Sequence, residues 1–311
     1  MTPPRGGRSP RPSRKSGGRQ PTGRQASPRR GGGAPGTASG GGGGRRGGGA
    51  PGTARAGGGG RRGGSAARGL GGDQVEGRQA VRELLLAGRR RVREVWMVDE
   101  GDNAPILADI RELAAGQRVS VLPVSKGRFA AQARCEAPQG VLALAAPLPE
   151  ADLDDLTRGP APFLVALDGV TDPGNLGAIL RSAECAGVTG AILPRHRAVH
   201  VTPAATKAAA GAIEHVPLAV VGGLPAALAR MRDAGVHVVG LDGAASISLY
   251  DVAGAGGPVC LVLGAEGRGL SRLVRERCDE VVAIPLLGRL GSLNVSAAAA
   301  LACFEIARKR S

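Results

Sequence analysis

From residue 73 onward the chain alternates between short apolar runs and longer stretches in which apolar residues return every three or four positions. The first pattern fits buried strands and the second fits helices with one core-facing stripe. It predicts a helix over 81–86, a strand over 92–98 that carries the only tryptophan, Trp96, and a helix over 106–113. A strand over 119–122, a short helix around Phe129 and a strand over 139–145 complete a small α/β domain, placed at 73–146. Residues 147–161 carry Pro149, Asp152, Asp154, Asp155 and Pro160 and read as an acidic linker. In the second domain, placed at 162–311, strands are predicted over 162–167, 190–193, 218–221, 236–241, 259–263 and 280–285. Helices fall between them over 204–212, 224–231 and 270–278, and an alanine-rich helix begins near Ala297. Short, uniformly apolar strands separated by helices point to a parallel sheet covered on both faces. Ordinary connection rules would give that sheet an unknotted path.

Composition changes this picture at one end. Of 311 residues, the first 72 contain no Asp or Glu and fifteen basic residues, leaving 26 basic against all 26 acidic ones in the remainder. The net charge of +15 therefore sits in the tail. The ten residues RRGGGAPGTA occur at 29–38 and again at 45–54. With so little apolar content this segment cannot offset its chain entropy by burial and is expected to be disordered. Arg beside Gly suits sequence-independent contact with phosphates, and the absence of Phe, Tyr and Trp removes base stacking. A purely solubilising extension remains the alternative.

Five widely spaced cysteines without a C-x-x-C pair suggest reduced, mostly buried thiols, with no disulfide frame and no zinc site. His196, His200, His215 and His237 are not grouped as a metal site or triad. No apolar run reaches the ~18 to 20 residues of a membrane span, and no apolar segment follows the Arg-rich start. A cytoplasmic protein is expected. The densest basic run outside the tail, Arg89-Arg90-Arg91, reads either as an RNA contact or as a solvated loop.

Candidate chemistry concentrates in three loops. In the first, the strand at 162–167 runs into DGVTDPGNLGAILR, 168–181. Asp172 is a good N-cap and Pro173 suits the first helical position. Leu176, Ile179, Leu180 and Ala183 then recur at helical spacing up to Gly187, leaving Asn175 and Arg181 as either surface decoration or functional groups. The second loop, LGAEGRGL at 263–270, lies between a strand and a helix. Its glycines permit either a simple tight turn or close backbone approach to a ligand. Its spacing is not that of a dinucleotide-binding fingerprint. The third, IPLLGRLGSLNVS at 284–296, leads into the alanine-rich helix, and Ser292 or Asn294 could serve simply as its N-cap.

Together, in this order, the three loops resemble the motifs of the SpoU (TrmH) family of RNA ribose 2′-O-methyltransferases, within the SPOUT superfamily. VEGRQAV at 75–81 and APQGV at 137–141 are similar to the ends of the substrate-binding domain found in one branch of that family, a domain similar to ribosomal protein L30e. The resemblance implies an α/β C-terminal SPOUT domain with a trefoil knot, preceded by an L30e-like domain and a disordered tail. It implies S-adenosylmethionine held in a bent form, largely by main-chain groups of Gly264, Ile284 and Leu293. Residue by residue, it implies that Asn175 positions Arg181 or the ribose, that Glu266 orients the site, and that Ser292 and Asn294 fix the closing loop. It further implies a homodimer in which Arg181 works near the other protomer's cofactor. The paired domains favour a guanosine of 23S ribosomal RNA as substrate. Transfer RNA, or a catalytically silent role as an RNA-binding or assembly factor, are the rivals. One departure concerns TKAAAG at 206–211, where many relatives carry Ser or Cys before the glycine and this chain has Ala210.

Overall fold

The computed structural model describes residues 70–99, 104–135, 137–196 and 201–311. The repeat-bearing tail expected to be disordered lies, but for its last three residues, outside the described residues, as does His200.

The first part of the chain forms β1 (Gln74–Glu76), α1 (Arg78–Ala87), β2 (Val92–Val98), α2 (Pro105–Gly116), β3 (Ser120–Val124), α3 (Lys126–Gln132) and β4 (Val141–Ala145). Their four strands lie in the order β1-β4-β2-β3, with β2 and β3 parallel and the other pairs antiparallel. One face packs Val95, Met97, Val141 and Ala143 against α1 and α2, through Val81, Leu84, Leu85 and Ile110. The opposite face packs Trp96 and Leu142 against Phe129 of α3. Sequence pattern missed β1. Its two polar residues, Gln74 and Glu76, are buried, and Glu76 is satisfied by the backbone amides of Arg134 and Cys135 at 2.8 and 3.1 Å.

The stretch expected to be a linker holds a short helix, α4 (Leu153–Thr157), capped by Asp152 through the amides of Asp154 and Asp155. Leu153 is buried and belongs to the core of the following sheet, so this segment is packed rather than free. The acidic residues that suggested a linker are instead a helix cap and first turn.

The second sheet is built from β5 (Phe163–Asp168), α5 (Pro173–Cys185), β6 (Gly190–Pro194), α6 (Pro203–Ala208), β7 (Leu218–Val221), α7 (Leu224–Asp233), β8 (His237–Leu241), β9 (Ile247–Ser248), β10 (Val259–Gly264), α8 (Arg272–Arg275), β11 (Glu280–Ala283) and α9 (Val295–Arg310). Its seven strands run β7-β6-β5-β10-β8-β11-β9, and every pair is parallel. Alternation along the strands divides the core. Val165, Leu167, Leu261 and Leu263 face α5 and α9, while Leu164, Ala166, Cys260 and Val262 face α4, α7 and α8. This is the doubly covered parallel sheet expected from the apolar runs. Helix α8 is shorter than 270–278, and α9 continues to Arg310. The last turn of α9, with Arg308, Lys309 and Arg310, places positive charge at the negative end of the helix dipole.

The two sheets are tied through one buried ion pair. Arg90 Nη1 lies 2.9 Å from Glu214 Oε1, with side-chain exposures of 4% and 0%. Arg90 also donates to the carbonyls of Ala146 (2.6 Å) and Gly72 (2.9 Å), and Arg89 donates to the Glu214 carbonyl at 3.1 Å. Beside them His215 Nε2 lies 2.9 Å from Glu83 Oε2. The central arginine of the basic run is thus a structural lock and not a solvated or RNA-facing group. Burial pushes the Glu214 carboxyl up, while the charge and hydrogen bond of Arg90 pull it back.

Candidate active site

All the loops that carry candidate chemistry leave the same edge of the parallel sheet. Asp168 at the end of β5 is in register with Gly264 at the end of β10, and Leu241 at the end of β8 pairs with Leu263. Crevices beyond the carboxyl ends of parallel strands are where such sheets bind ligands. Two cavities lie there, of about 380 and 370 Å³.

The first is walled by Gly264, Glu266, Ile284, Ser292 and Leu293, joined by Asp242 from the loop after β8. The second is walled by the loop before α5, including Asp172, and by Asn175 in the first turn of that helix. Ala265, Glu266, Arg268 and Val295 border both, so the two cavities share a partition. The partition is a tight turn in which Ala265 and Gly269 exchange backbone hydrogen bonds, 3.1 and 2.9 Å. A Cβ on Gly264 would fall on the Gly269 carbonyl group. The glycine is therefore required by the turn's own closure, and the close backbone approach lies within the loop.

Each loop is braced against another. Asp172 caps α5 by accepting from the Asn175 amide at 2.6 Å, as its position predicts. Asp168 Oδ2 accepts from the Ser271 amide at 2.6 Å, fixing the start of α8 to the end of β5. Asp242, only 13% exposed, pairs with Arg275 at 2.7 Å and accepts from the Ala244 amide. Asn294 caps α9 through the Ser296 amide at 2.8 Å, and its Nδ2 donates to Asn175 Oδ1 at 3.0 Å. The cap and the inter-loop bond use opposite ends of one amide, so Asn294 holds its helix and the first loop at once.

Seven of the eight residues singled out from sequence are gathered by this geometry. Gly264, Ile284, Leu293, Glu266 and Ser292 border the first cavity, Asn175 borders the second, and Asn294 is bonded to Asn175. Arg181 stands apart. It is exposed on α5, borders neither cavity and makes no hydrogen bond or ion pair with the described residues. Asp168, Asp242 and Arg268 were missed by sequence reasoning. For Asp168 and Asp242 the available signal was an acidic residue directly after an apolar strand, and for Arg268 a lone cation inside a glycine-rich turn.

The first cavity suits a mixed ligand. Apolar walls at Leu286, Leu293 and Ile284 fit a flat ring, main-chain groups of the glycine turn offer hydrogen bonds, and Asp242 and Glu266 present carboxylates to hydroxyl or cationic groups. No group of three or more His, Cys, Asp or Glu side chains among the described residues is arranged to hold a metal. Among them too, no helix is long and apolar enough to cross a membrane. The thiol of Cys278, behind the site, is pushed up to about 12 by burial, with Asp279 adding to the effect, so it stays protonated.

Comparison with known proteins agrees with this arrangement. Residues 162–304 match the SpoU rRNA Methylase family, and residues 74–151 match the family described as RNA 2′-O ribose methyltransferase substrate binding. The 23S rRNA (guanosine-2′-O-)-methyltransferase RlmB of Pseudomonas syringae pv. tomato is 40% identical over 245 residues, covering 77% of this chain and 96% of that protein. RlmB of Pseudomonas aeruginosa is also 40% identical, over 76% and 97%. Among solved structures, the SpoU methyltransferase AviRb from Streptomyces viridochromogenes in complex with the cofactor AdoMet superposes with a TM-score of 0.65 at 28% identity, covering 76% of this chain and 89% of AviRb. An AdoMet-bound rRNA methyltransferase from Sinorhizobium meliloti gives 0.62 at 27% identity, covering 76% and 86%. With the motif loops converging on one strand edge, and relatives alike over nearly their whole length, the chain belongs to the SpoU methyltransferase family.

Proposed function

We propose that this protein transfers a methyl group from S-adenosylmethionine to a ribose 2′-hydroxyl of RNA, with a guanosine of 23S ribosomal RNA as its target. The observation that carries the reading is the Asn294–Asn175 bond, which joins the third motif to the first beside a cavity walled by the second. The substrate assignment is supported by the names of the RlmB relatives and by the presence of both matched domains.

When bound, the cofactor supplies a methyl group already activated by its sulfonium. The residues must then hold donor and acceptor in line and ease loss of the hydroxyl proton. Main-chain groups of Gly264, Ile284 and Leu293 are assigned to the cofactor, with the Asp242 and Glu266 carboxylates facing its hydroxyl and cationic groups. The ribose is assigned to the second cavity, beside Asn175, so that donor and acceptor meet at the border the two cavities share, flanked by Glu266 and Arg268. Alignment of this kind is worth roughly 7 to 11 kcal/mol in well-oriented systems. Ser292 and Asn294 keep the third loop closed over the pair.

Arg181 is assigned to the neighbouring protomer's site. There it acts as a fixed cation that holds the adjacent phosphate and stabilises the forming alkoxide, while the proton leaves through that phosphate or water. A homodimer is supported by α9, which buries Ala299, Ala302, Cys303 and Ile306 on one face and leaves Leu301 (49%) and Phe304 (52%) exposed on another. The trefoil knot belongs to the same reading. It is supported by β8 lying between β10 and β11 and by α9 returning to pack on α5 after the third motif. The reading further includes a cytoplasmic location, no metal requirement, and a basic tail that tethers RNA without reading its sequence.

The test is methyl transfer by the purified full chain from labelled S-adenosylmethionine to protein-free 23S ribosomal RNA, with nucleosides identified by mass spectrometry. The expected product is 2′-O-methylguanosine. Methylation of transfer RNA alone would move the substrate, and a folded, cofactor-binding protein that labels no RNA would overturn the reading.

A further inference from the structure

The glycine turn that borders both cavities carries a cation whose role is still open. Arg268 is the only basic residue among the described residues lining either cavity. It is exposed and makes no hydrogen bond or ion pair with the described residues. Carboxylates stand close by in the same loops, yet none takes it. Asp172 is occupied by the cap of α5, and Asp242 pairs with Arg275 at 2.7 Å. Glu266, two positions away in the same turn, is exposed and likewise unpaired with it.

The backbone beneath this side chain is braced on both sides. Gly267 (φ 76°) and Gly269 (φ 64°) take left-handed conformations that a glycine adopts without strain, while Arg268 between them does not. Gly269 lies so close to Asp242 that a Cβ there would come 3.0 Å from its Oδ2. Just beyond, the Ser271 amide is held by Asp168. An unengaged guanidinium on a fixed backbone can meet a ligand without the loop having to reorganise first.

We propose that Arg268 binds the RNA phosphate on the 5′ side of the ribose to be methylated. The inference rests on the RNA methyltransferase reading and supplies a contact that reading lacks. In the second cavity, to which the ribose is assigned, the charged lining is Asp172, Glu266 and Arg268, two carboxylates against one cation. A ribose within RNA arrives with a phosphate on each side, so the cavity has to admit anions past a lining of their own sign. Arg268 offsets that repulsion at the border where donor and acceptor meet. The phosphate beside the 2′-hydroxyl, on the 3′ side, is assigned to Arg181 reaching in from the other protomer, which leaves the 5′ phosphate for Arg268. A planar guanidinium fork suits two oxygens of one phosphate.

The experiment uses the full chain, with equilibrium binding to an in vitro transcript of 23S ribosomal RNA measured over a range of salt beside steady-state methylation. Arg268→Ala removes the cation, Arg268→Lys keeps the charge, and Arg277→Ala removes an exposed arginine beside His237 at the start of β8, the opposite edge of the sheet, as a control. Arg268→Ala is expected to raise Kd and KM for RNA by about tenfold and to lower the log–log salt slope by about one, with S-adenosylmethionine affinity and melting temperature as in wild type. Arg268→Lys should recover most of the affinity and the slope, a rescue that a purely structural role of the turn would not give. On a synthetic RNA spanning the mapped guanosine, an uncharged methylphosphonate at its 5′ phosphate should weaken wild type about tenfold and Arg268→Ala no further. RNA affinity within about twofold of wild type in Arg268→Ala, an equal loss in Arg277→Ala, or additive losses from the methylphosphonate and the substitution would each refute the inference. So would a loss confined to S-adenosylmethionine affinity, which would put the guanidinium on the cofactor's carboxylate instead. A wild-type protein that shows this Arg268-dependent binding but methylates nothing would count against the catalytic reading alone.

Discussion

Asn294 and Asn175, 119 positions apart in the chain, share a 3.0 Å hydrogen bond in which Nδ2 of Asn294 donates to Oδ1 of Asn175. The other end of the same amide caps α9, accepting from the Ser296 amide and hydroxyl. These two duties are separable by substitution. Asn294→Asp keeps the cap oxygen and loses the donor, so it should retain thermal stability while the methylation rate falls at least about tenfold. Asn294→Ala loses both and should cost a further ~1 kcal/mol of stability. Melting curves beside single-turnover rates check the split.

Arg181 is free of partners within its own protomer's described residues, and its proposed target lies in the neighbouring one. Arg181→Lys should lower kcat by about 100-fold, because a point charge cannot reproduce a planar fork, while cofactor binding measured by calorimetry is unchanged. Mixing Arg181→Ala chains with Asn294→Asp chains, each impaired alone, should raise activity toward about a quarter of wild type, since each mixed dimer then holds one complete site. No recovery after subunit exchange would place Arg181 in the wrong site.

The Arg90–Glu214 pair gives a prediction with a sign. Arg90→Met strands a buried carboxylate, and breaking such a pair costs about 3 to 5 kcal/mol at neutral pH. The Glu214 carboxyl is already raised by burial, and losing Arg90 raises it further. A raised folded-state value means that folding is favoured with the proton on. The loss in Arg90→Met should therefore shrink as pH falls below the ordinary carboxylate range and grow as pH rises through the folded value. Denaturant titrations at acid and neutral pH check this, and a pH-independent loss would contradict it.

Gly264→Ala tests the turn. The new methyl meets the Gly269 carbonyl group, so the 265–269 turn must open, at about 1 to 3 kcal/mol of stability. Because that turn is the partition between the cavities, affinity for S-adenosylmethionine should fall as well. Intact cofactor affinity in a destabilised variant would show that the turn serves the fold alone.

Much of this architecture was readable from the chain. Helix α5 was placed by Asp172, Pro173 and the stripe of Leu176, Ile179, Leu180 and Ala183, all four buried, because capping and periodicity agree there. The central strands were equally plain, since burial on both faces leaves them uniformly apolar. Elements stabilised by polar groups were not legible. Gln74 and Glu76 occupy a buried strand that no hydrophobic pattern marks, and α4 hides among prolines and aspartates. The partner of Arg90 was invisible because Glu214 lies 124 positions away, and nothing local distinguishes a locked arginine from a solvated one. The site followed the same rule. The residues to which the motifs gave a role were, Arg181 apart, gathered at the site, whereas Asp168 and Asp242, which brace the loops from strand ends, and Arg268, inside the glycine turn, had been given none.

The third motif has a consequence for the order in which the site is built. The cavity assigned to the methyl donor takes Ile284, Leu293 and Val295 from the segment between β11 and the first turn of α9, the last of the three loops in chain order. A molecule folded only as far as β10 has the glycine turn but no opposing wall, so the pocket assigned to the donor is completed when the third loop closes on the first two.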